Sequence, residues 1–376
     1  MPADNVSFDD LAMVAPDEGW AVGALGAQWP PDSAGQGPAG VIYHLTDGAW
    51  QRLPQVYPGA ELATISMGAP DDGWAASTSA MAGTGSGSGD HVLVLHESHG
   101  RWTPVDVPAL DAVLKGPAGS EGGHINWINI QMFGPNAGWM FAWTNIPRDP
   151  SNPASRAEVL VLRYQQGVWT PIAAPAVTPT TELFSLSAVS ADEAWMVGTE
   201  YGTNNLTTLF AHYTNGGWSL WPKTFPGVTE RLTMLSPTQG WAFDSDAQGG
   251  GSDSLLHFDG TTWAPVATPD WPQQRIELTA LAFIAAPGVT WFGAAHVEGF
   301  GGTARLEQYA AGRWQQVAWP YADVQPERLA VGSAGEFWGI GAIRHQEGCP
   351  PALVTEIAQG VFLHDRQGSW SREVLP

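Results

Sequence analysis

Aliphatic and polar residues alternate along this chain in short runs, each closed by a cluster of Pro, Asp, Asn or Gly. Residues 62–108 show the pattern in full. Ala63-Thr-Ile-Ser-Met67 alternates, Pro70-Asp-Asp-Gly73 breaks the run, and Trp74–Ser77 resumes it; Val92–His96 and Arg101–Val105 follow a Gly/Ser-rich stretch. A period of two puts successive side chains on opposite faces of a strand, and Pro, Asp and Gly pre-set turn dihedrals. The stretch therefore predicts four short strands. With variation it recurs seven times.

Two tryptophans locate each copy. The first is Trp20, Trp74, Trp139, Trp195, Trp241, Trp291 and Trp338; the second is Trp50, Trp102, Trp169, Trp218, Trp263, Trp314 and Trp370. They account for 14 of the 20 tryptophans, so the abundance of tryptophan belongs to the repeat before it belongs to any function. Nine residues before the first tryptophan stand Leu11, Ile65, Ile130, Leu186, Leu232 and Leu329, joined by Leu278 once a four-residue insertion is allowed. All are aliphatic. Ten residues before it stand Asp10, Thr64, Asn129, Ser185, Arg231 and Arg328, with Glu277 as the sixth-copy equivalent, and all are polar.

Repeats of four strands predict an all-β fold, a seven-bladed β-propeller with four antiparallel strands per blade. One domain, residues 1–376, is expected, with approximate blades at 6–57, 58–122, 123–176, 177–227, 228–272, 273–321 and 322–376. A β-sandwich would not need the same tryptophan pair in every unit, and a solenoid would need atypical capping ends. The aliphatic column should pack between blades while the polar column rings the mouth of a central channel. That ring suits either an ion-pair cluster sealing the mouth or a site whose guanidinium forks grip a carboxylate or sugar hydroxyls. The first copy begins with its innermost strand and the last ends with its outermost, so closure by side-chain packing, without strand exchange, is expected.

The Gly-Trp-Ala-Val-Gly element at Gly19–Gly23 resembles the repeat of photosystem II assembly-factor and related propellers. Asp259-Gly-Thr-Thr-Trp263 is similar to the Asp-box turn of sialidase-type (BNR) repeats. At repeat level the resemblance covers the whole chain and implies the fold. Gly48-Ala-Trp50 and Gly167-Val-Trp169 lack the Ser and spaced Asp of the box, so no activity is implied.

Composition agrees with a large β domain: 44% hydrophobic residues, 14% charged, 45 Gly and 30 Pro. The 37 acidic residues against 15 basic give a net charge of -22, which argues against a nucleic-acid partner. No apolar run reaches the length of a membrane span. The one cysteine, Cys349, cannot form an internal disulfide. No signal peptide is visible at Met1-Pro-Ala-Asp, so either the cytoplasm or export by a segment absent from this sequence is open; a monomer outside the cell or at its surface is the expectation, with the cytoplasm as the alternative.

Candidate chemistry is sparse. His44, His96, His212, His257 and His364 share one third-strand position, with Arg163 and Gln308 in the other copies; positions so repeated lie too far apart to share a metal, and a hydrogen bond within each blade is expected. Asp244-Ser-Asp246-Ala-Gln248-Gly249 matches half of a calcium loop, with Asp253 able to add an oxygen, but Leu255 stands where the bidentate Glu belongs. No cofactor is expected beyond this incomplete calcium candidate. There is no G-x-S-x-G, H-E-x-x-H, P-loop or CxxC motif. A sialidase-like site would need an arginine cluster, for which Arg231, Arg275 and Arg328 are available, and a tyrosine nucleophile, for which only Tyr321 lies near the start of an innermost strand.

The first-to-second and third-to-fourth strand turns are tight, while the other connections, such as 26–40, 77–90, 108–126 and 143–157, are long and should gather on the opposite face. Surplus aromatics, Trp29, Trp143, Tyr201, Trp221, Trp271, Trp319 and Tyr321, fall there. The expected function is a non-catalytic binding or scaffold propeller that takes a carbohydrate or protein ligand on that face around the channel. The alternatives are a polysaccharide-acting hydrolase or lyase on the same face, and a protein-assembly factor.

Overall fold

The computed structural model describes residues 6–26, 28–29, 38–78, 91–115, 123–152, 154–203, 205–243, 255–267, 276–283, 289–296, 304–321, 323–333, 336–347, 355–366 and 368–374. Packing groups the chain into two compact units, residues 1–105 with 271–376, and residues 106–270. Each is built of antiparallel sheets whose four main strands follow one another in sequence.

In the first unit the N-terminal sheet runs Val6–Ala15, Glu18–Leu25, Ala39–Thr46 and Ala49–Pro58; the second runs Leu62–Ala69, Asp72–Ser77, Val94–Ser98 and Arg101–Pro104. Two further sheets begin at Ile276–Phe283 and Gln325–Ser333, the latter ending with Ser369–Val374. The second unit holds sheets beginning at Ile125–Met132, Thr181–Ser190 and Arg231–Ser236, preceded by a helix, Pro108–Lys115.

Local chemistry accounts for these hairpins. Asp47-Gly48, His99-Gly100, Gln166-Gly167, Asn215-Gly216 and Ala311-Gly312 all have positive φ at both positions, as the two-residue turns that match strand twist require. Asp259 Oδ1 instead accepts from Thr261 N, Thr261 Oγ1 and Thr262 N, each at 2.8 Å; led by the Thr262 amide, these bonds hold its carboxyl at about 2. The glycine before the first tryptophan makes room for a methionine thioether across the hairpin. Gly19, Gly73, Gly138 and Gly240 face Met13, Met67, Met132 and Met234, and a Cβ on any of them would collide with the sulfur. In the fourth copy the pair becomes Ala194 opposite Ala188.

The repeated histidines pack flat on the first tryptophans. His44 lies 3.8 Å from Trp20, His96 4.3 Å from Trp74, His212 3.9 Å from Trp195 and His364 3.8 Å from Trp338, centroid to centroid. His212 Nε2 pairs with Glu193 at 2.8 Å and His96 Nε2 with Asp72 at 3.3 Å, the carboxylate coming from the same sheet's first turn. The third copy has Ala137 at that turn position and Arg163 in place of histidine, and Arg163 reaches Asp192 of the following sheet at 2.7 Å. The long side chain finds across the sheet boundary the carboxylate its own turn lacks.

Cores lie between sheets. In the second unit Trp139, Phe141 and Val161 pack on Leu183, Leu186 and Met196, and Trp139 Nε1 donates to Ser190 O at 2.9 Å. In the first unit Val6, Phe8, Tyr43 and Trp50 of the N-terminal sheet pack on Trp338, Ile340 and Phe362 of the C-terminal one. Leu11, Ile65, Ile130, Leu186 and Leu232 of the aliphatic column are all buried. The first and last strands pair inside their own sheets, Val6 with Leu25 and Val374 with Val361. The expectation of closure by side chains alone needs one correction: Gln28–Trp29, in the first copy's long connection, pairs with Ile357 and Glu356 as an added strand of the last sheet.

Candidate functional site

The innermost strands are not regular. Their pairing slips between Phe8 and Asp10, Leu62 and Thr64, Leu183 and Ser185, and Pro326 and Arg328. The residues passed over, Asp9, Ala63, Phe184 and Glu327, occupy the same position of the repeat, eleven before the first tryptophan. A bulge of this kind leaves one residue outside the ladder and re-aims its side chain. It interrupts the inner strand next to the polar column, near the end of the hairpin from which the long connection departs.

In the first unit the polar column is tied down. Asp10 Oδ2 accepts from Thr64 Oγ1 at 3.1 Å and Ile65 N at 2.9 Å, and Oδ1 from Leu11 N at 3.0 Å. Arg328 Nε stands 3.6 Å from Asp10 Oδ1, and its Nη1 donates to Glu327 O at 3.0 Å. Burial raises the Asp10 carboxyl, against the pull of Arg328 and three hydrogen bonds. Asp10, Thr64 and Arg328 thus join three neighbouring sheets.

One residue away the accounting changes. Asp9 is half-buried, and its Oδ2, closed to water, meets no hydrogen-bond donor. Burial first, then the charges of Glu61 and Glu327, hold it well above the usual carboxylate range, with Arg328 as the one opposing influence. Burial also raises Glu61. Arg328 is a cation that opposes the raised values of both Asp9 and Asp10.

The second unit has its own cluster. Glu182, the second residue of the bulged strand of its sheet, faces Arg156 at 3.8 Å, and the guanidinium of Arg156 lies 3.6 Å above the Tyr201 ring. Burial raises Glu182, while Arg156 and the Tyr201 phenol pull it back. Burial and the Glu182 charge push the Tyr201 hydroxyl up to about 12. Nearby, the hydroxyls of Thr178, Thr180 and Thr181 all donate to Glu200, and Arg148 Nη1 donates to Thr178 O at 2.9 Å and Thr181 O at 2.7 Å. Arg231 stacks over Trp127 at 4.4 Å; Asn129 and Ser185 sit half-buried on their inner strands.

The loop aromatics are mostly engaged in packing. Trp143, half-buried, packs against the core of its unit, and Trp221 leans on Trp195 at 5.1 Å and Phe258 at 5.7 Å. Trp319 packs on Tyr321 at 5.9 Å and Trp370 at 5.1 Å, and Tyr321 donates to Trp370 O at 3.0 Å. Tyr201 is covered by Arg156. Trp271, Arg275, Asp244, Asp246, Asp253 and the side chains of Trp29 and Glu277 lie outside the described residues. Among those that are described, no three His, Cys, Asp or Glu side chains gather to hold a metal ion, and no helix is long and apolar enough to cross a membrane.

Sequence reading passed over Asp9, Glu61, Glu327, Arg156 and Glu182. A second column was available: eleven residues before the first tryptophan stand Asp9, Glu230 and Glu327, three acids in positions that Ala63, Ile128 and Phe184 hold elsewhere. Strict alternation hid it, because a bulge puts two consecutive residues out of the core.

No family model matches this chain, and no curated protein matches it. Solved structures match in fold. A structure described as YCF48 bound to D1 peptide is 14% identical, with a TM-score of 0.54 over 95% of this chain and 93% of that one. The β-propeller domain of the Trilobed protease from Pyrococcus furiosus, described as an open velcro topology, is 7% identical, with a TM-score of 0.56 over 98% of this chain and 97% of that one. A puromycin-hydrolyzing peptidase of Mycobacterium tuberculosis is 13% identical with a TM-score of 0.58; the match takes in 100% of this chain and 55% of that one, so this chain spans about half its length. At these identities the likeness is one of fold. The chain is a β-propeller of antiparallel, four-stranded sheets.

Proposed function

We propose that this chain is a seven-bladed, non-catalytic binding propeller whose ligand is a segment of another protein, held at the inner ends of the strands on the side of the long connections. The carrying observation is the recurrent bulge of the innermost strands, which takes charged side chains out of the ladder in neighbouring sheets at the same level. Bulges are over-represented where a strand serves a site. Polypeptide ligands offer the charged and amide groups such a surface can answer. The fold likeness to a propeller described with a bound peptide agrees with this reading.

The surroundings of Tyr321 disfavour a sialidase-like role. A tyrosine nucleophile needs a base beside its hydroxyl, whereas the Tyr321 hydroxyl donates to the Trp370 carbonyl at 3.0 Å and its ring packs on Trp319. Selection of displayed random peptides on the purified full chain, run beside a glycan array, tests the proposal. Enriched peptides that compete for one saturable site are expected. Saturable glycan binding with no peptide enriched overturns it.

A further inference from the structure

Each of the seven copies carries, five to eight residues after its second tryptophan, an apolar residue followed by proline. That residue is large in six copies, among them Tyr57, Val107, Phe225 and Trp319, and it is Ala174 in the third. Tyr57 and Phe225 show what it does. Each pairs with the outer edge of its own sheet's third strand, Tyr57 with Gly40 and Phe225 with Thr208, four residues before the repeated histidine. Each ring is buried in the core between its sheet and the next, and the glycine two residues on, Gly59 or Gly227, donates its N–H to the carbonyl of Pro38 or Leu206 at 2.9 Å.

In the third sheet the same position is unpaired. Its third strand, Ala157–Gln165, is paired by Val168–Ile172 only from Val161 onward. Gln165 and Val168 close a two-residue turn, so Arg163, Val161 and then Val159 direct their N–H and C=O groups to the outer edge. Val159, four residues before Arg163, is the counterpart of Gly40 and Thr208, and among the described residues no group bonds its N–H or C=O on that edge. Ala157 O, the counterpart of the Pro38 and Leu206 carbonyls, accepts from Arg148 Nη2 at 3.4 Å. Val159, Ala174, Val177 and Leu209 pack against the core between the third and fourth sheets yet stay half-buried.

We infer that this edge takes an extended segment of a partner polypeptide, whose backbone pairs with Val159 and whose aromatic side chain fills the place that Tyr57 and Phe225 fill in their sheets. Strand addition supplies the donor and the acceptor that Val159 lacks, and the space beside Ala174 supplies selectivity. The paired residue puts its side chain on the same face as Val159, toward that half-covered core. A second copy of the chain is a poor occupant, because Tyr57 and Phe225 are already buried in their own sheets. The inference concerns the outer edge of one sheet and does not rest on the inner-strand reading above.

Amide hydrogen exchange on the full chain reads this edge directly. Without ligand, Val159 should exchange at least about a hundredfold faster than Thr208. The probe is the acetylated, amidated peptide with the sequence of residues 223–229, compared with the same peptide carrying Phe225→Ala. The first should bind saturably and slow exchange at Val159; the second should bind at least about tenfold more weakly. In the protein, Val159→Pro removes the outward N–H and no ladder bond, a change that edge positions tolerate, and should weaken binding by a similar factor. If that variant fails to fold, Ala174→Trp decides, since it gives the third copy the side chain of the sixth and should block the peptide by filling the space from within. Protection of Val159 equal to that of Thr208 in the free protein, or growing with protein concentration, overturns the inference. So does no saturable binding up to about 10 mM, equal binding of the two peptides, binding that leaves Val159 exchange unchanged, or full binding by the deciding variant. None of these outcomes bears on the inner-strand site.

Discussion

The two units place acids at the same positions of the repeat and treat them differently. Glu61 and Glu182 both stand thirteen residues before the first tryptophan of their copies, and Asp9, Glu327 and Glu230 eleven before. In the second unit Arg156 comes within 3.8 Å of Glu182, and the Tyr201 phenol bonds it as well. In the first unit the Arg328 guanidinium turns to Asp10, and Asp9 Oδ2 is left without a donor. Tyr201 stands six residues after Trp195, where the second copy has Ala80 after Trp74. An acid beside the inner strand can thus be answered, as Glu182 is by Arg156, or keep an oxygen without a donor, as Asp9 does.

The largest effect expected from breaking this contrast is in the second unit. Arg156→Met strands the desolvated Glu182 carboxyl, and because Arg156 is itself partly exposed we expect a loss of about 2 kcal/mol, below the 3–5 typical of fully buried pairs; urea unfolding measures it. Arg328→Met removes a cation that faces Asp9 and Asp10, with about 1.5 kcal/mol lost at neutral pH. That loss should shrink on mild acidification. A carboxyl raised in the folded state binds more protons there than in the unfolded chain, so stability falls as pH climbs from the unfolded value through the folded one and is recovered in the other direction. Urea midpoints between pH 4 and pH 8 give the sign.

Tyr201→Phe deletes the phenol's bond to Glu182 but keeps the ring under Arg156, with an expected loss of about 1 kcal/mol. The smallest change runs the opposite way. Asp9→Asn should stabilise the protein by about 0.5–1 kcal/mol at neutral pH, since it relieves a carboxyl that burial and neighbouring acids disfavour and whose Oδ2 has no donor, and should flatten the acid limb of the pH profile. The matched change Glu182→Gln should destabilise. If both substitutions move stability in the same direction, the contrast between the units is wrong.

The sequence by itself determined the strands, the turns and the repeat. A period of two with Asp-Gly and Asn-Gly punctuation is local, and each mark is fixed by dihedral preference or by a neighbour across one hairpin, as with Gly19 and Met13. The buried aliphatic column, Leu11 to Leu232, followed from the same periodicity. What only the tertiary structure decided is which polar side chain meets which. Arg163 crosses to Asp192 because Ala137 leaves its own turn empty of charge, and Trp29 pairs with Glu356 more than three hundred residues away. Asp9 falls out of the ladder at a bulge that alternation cannot register. Hydrogen bonds and ion pairs between sheets depend on distances of a few tenths of an ångström between residues far apart in sequence, and no pattern within one copy encodes them.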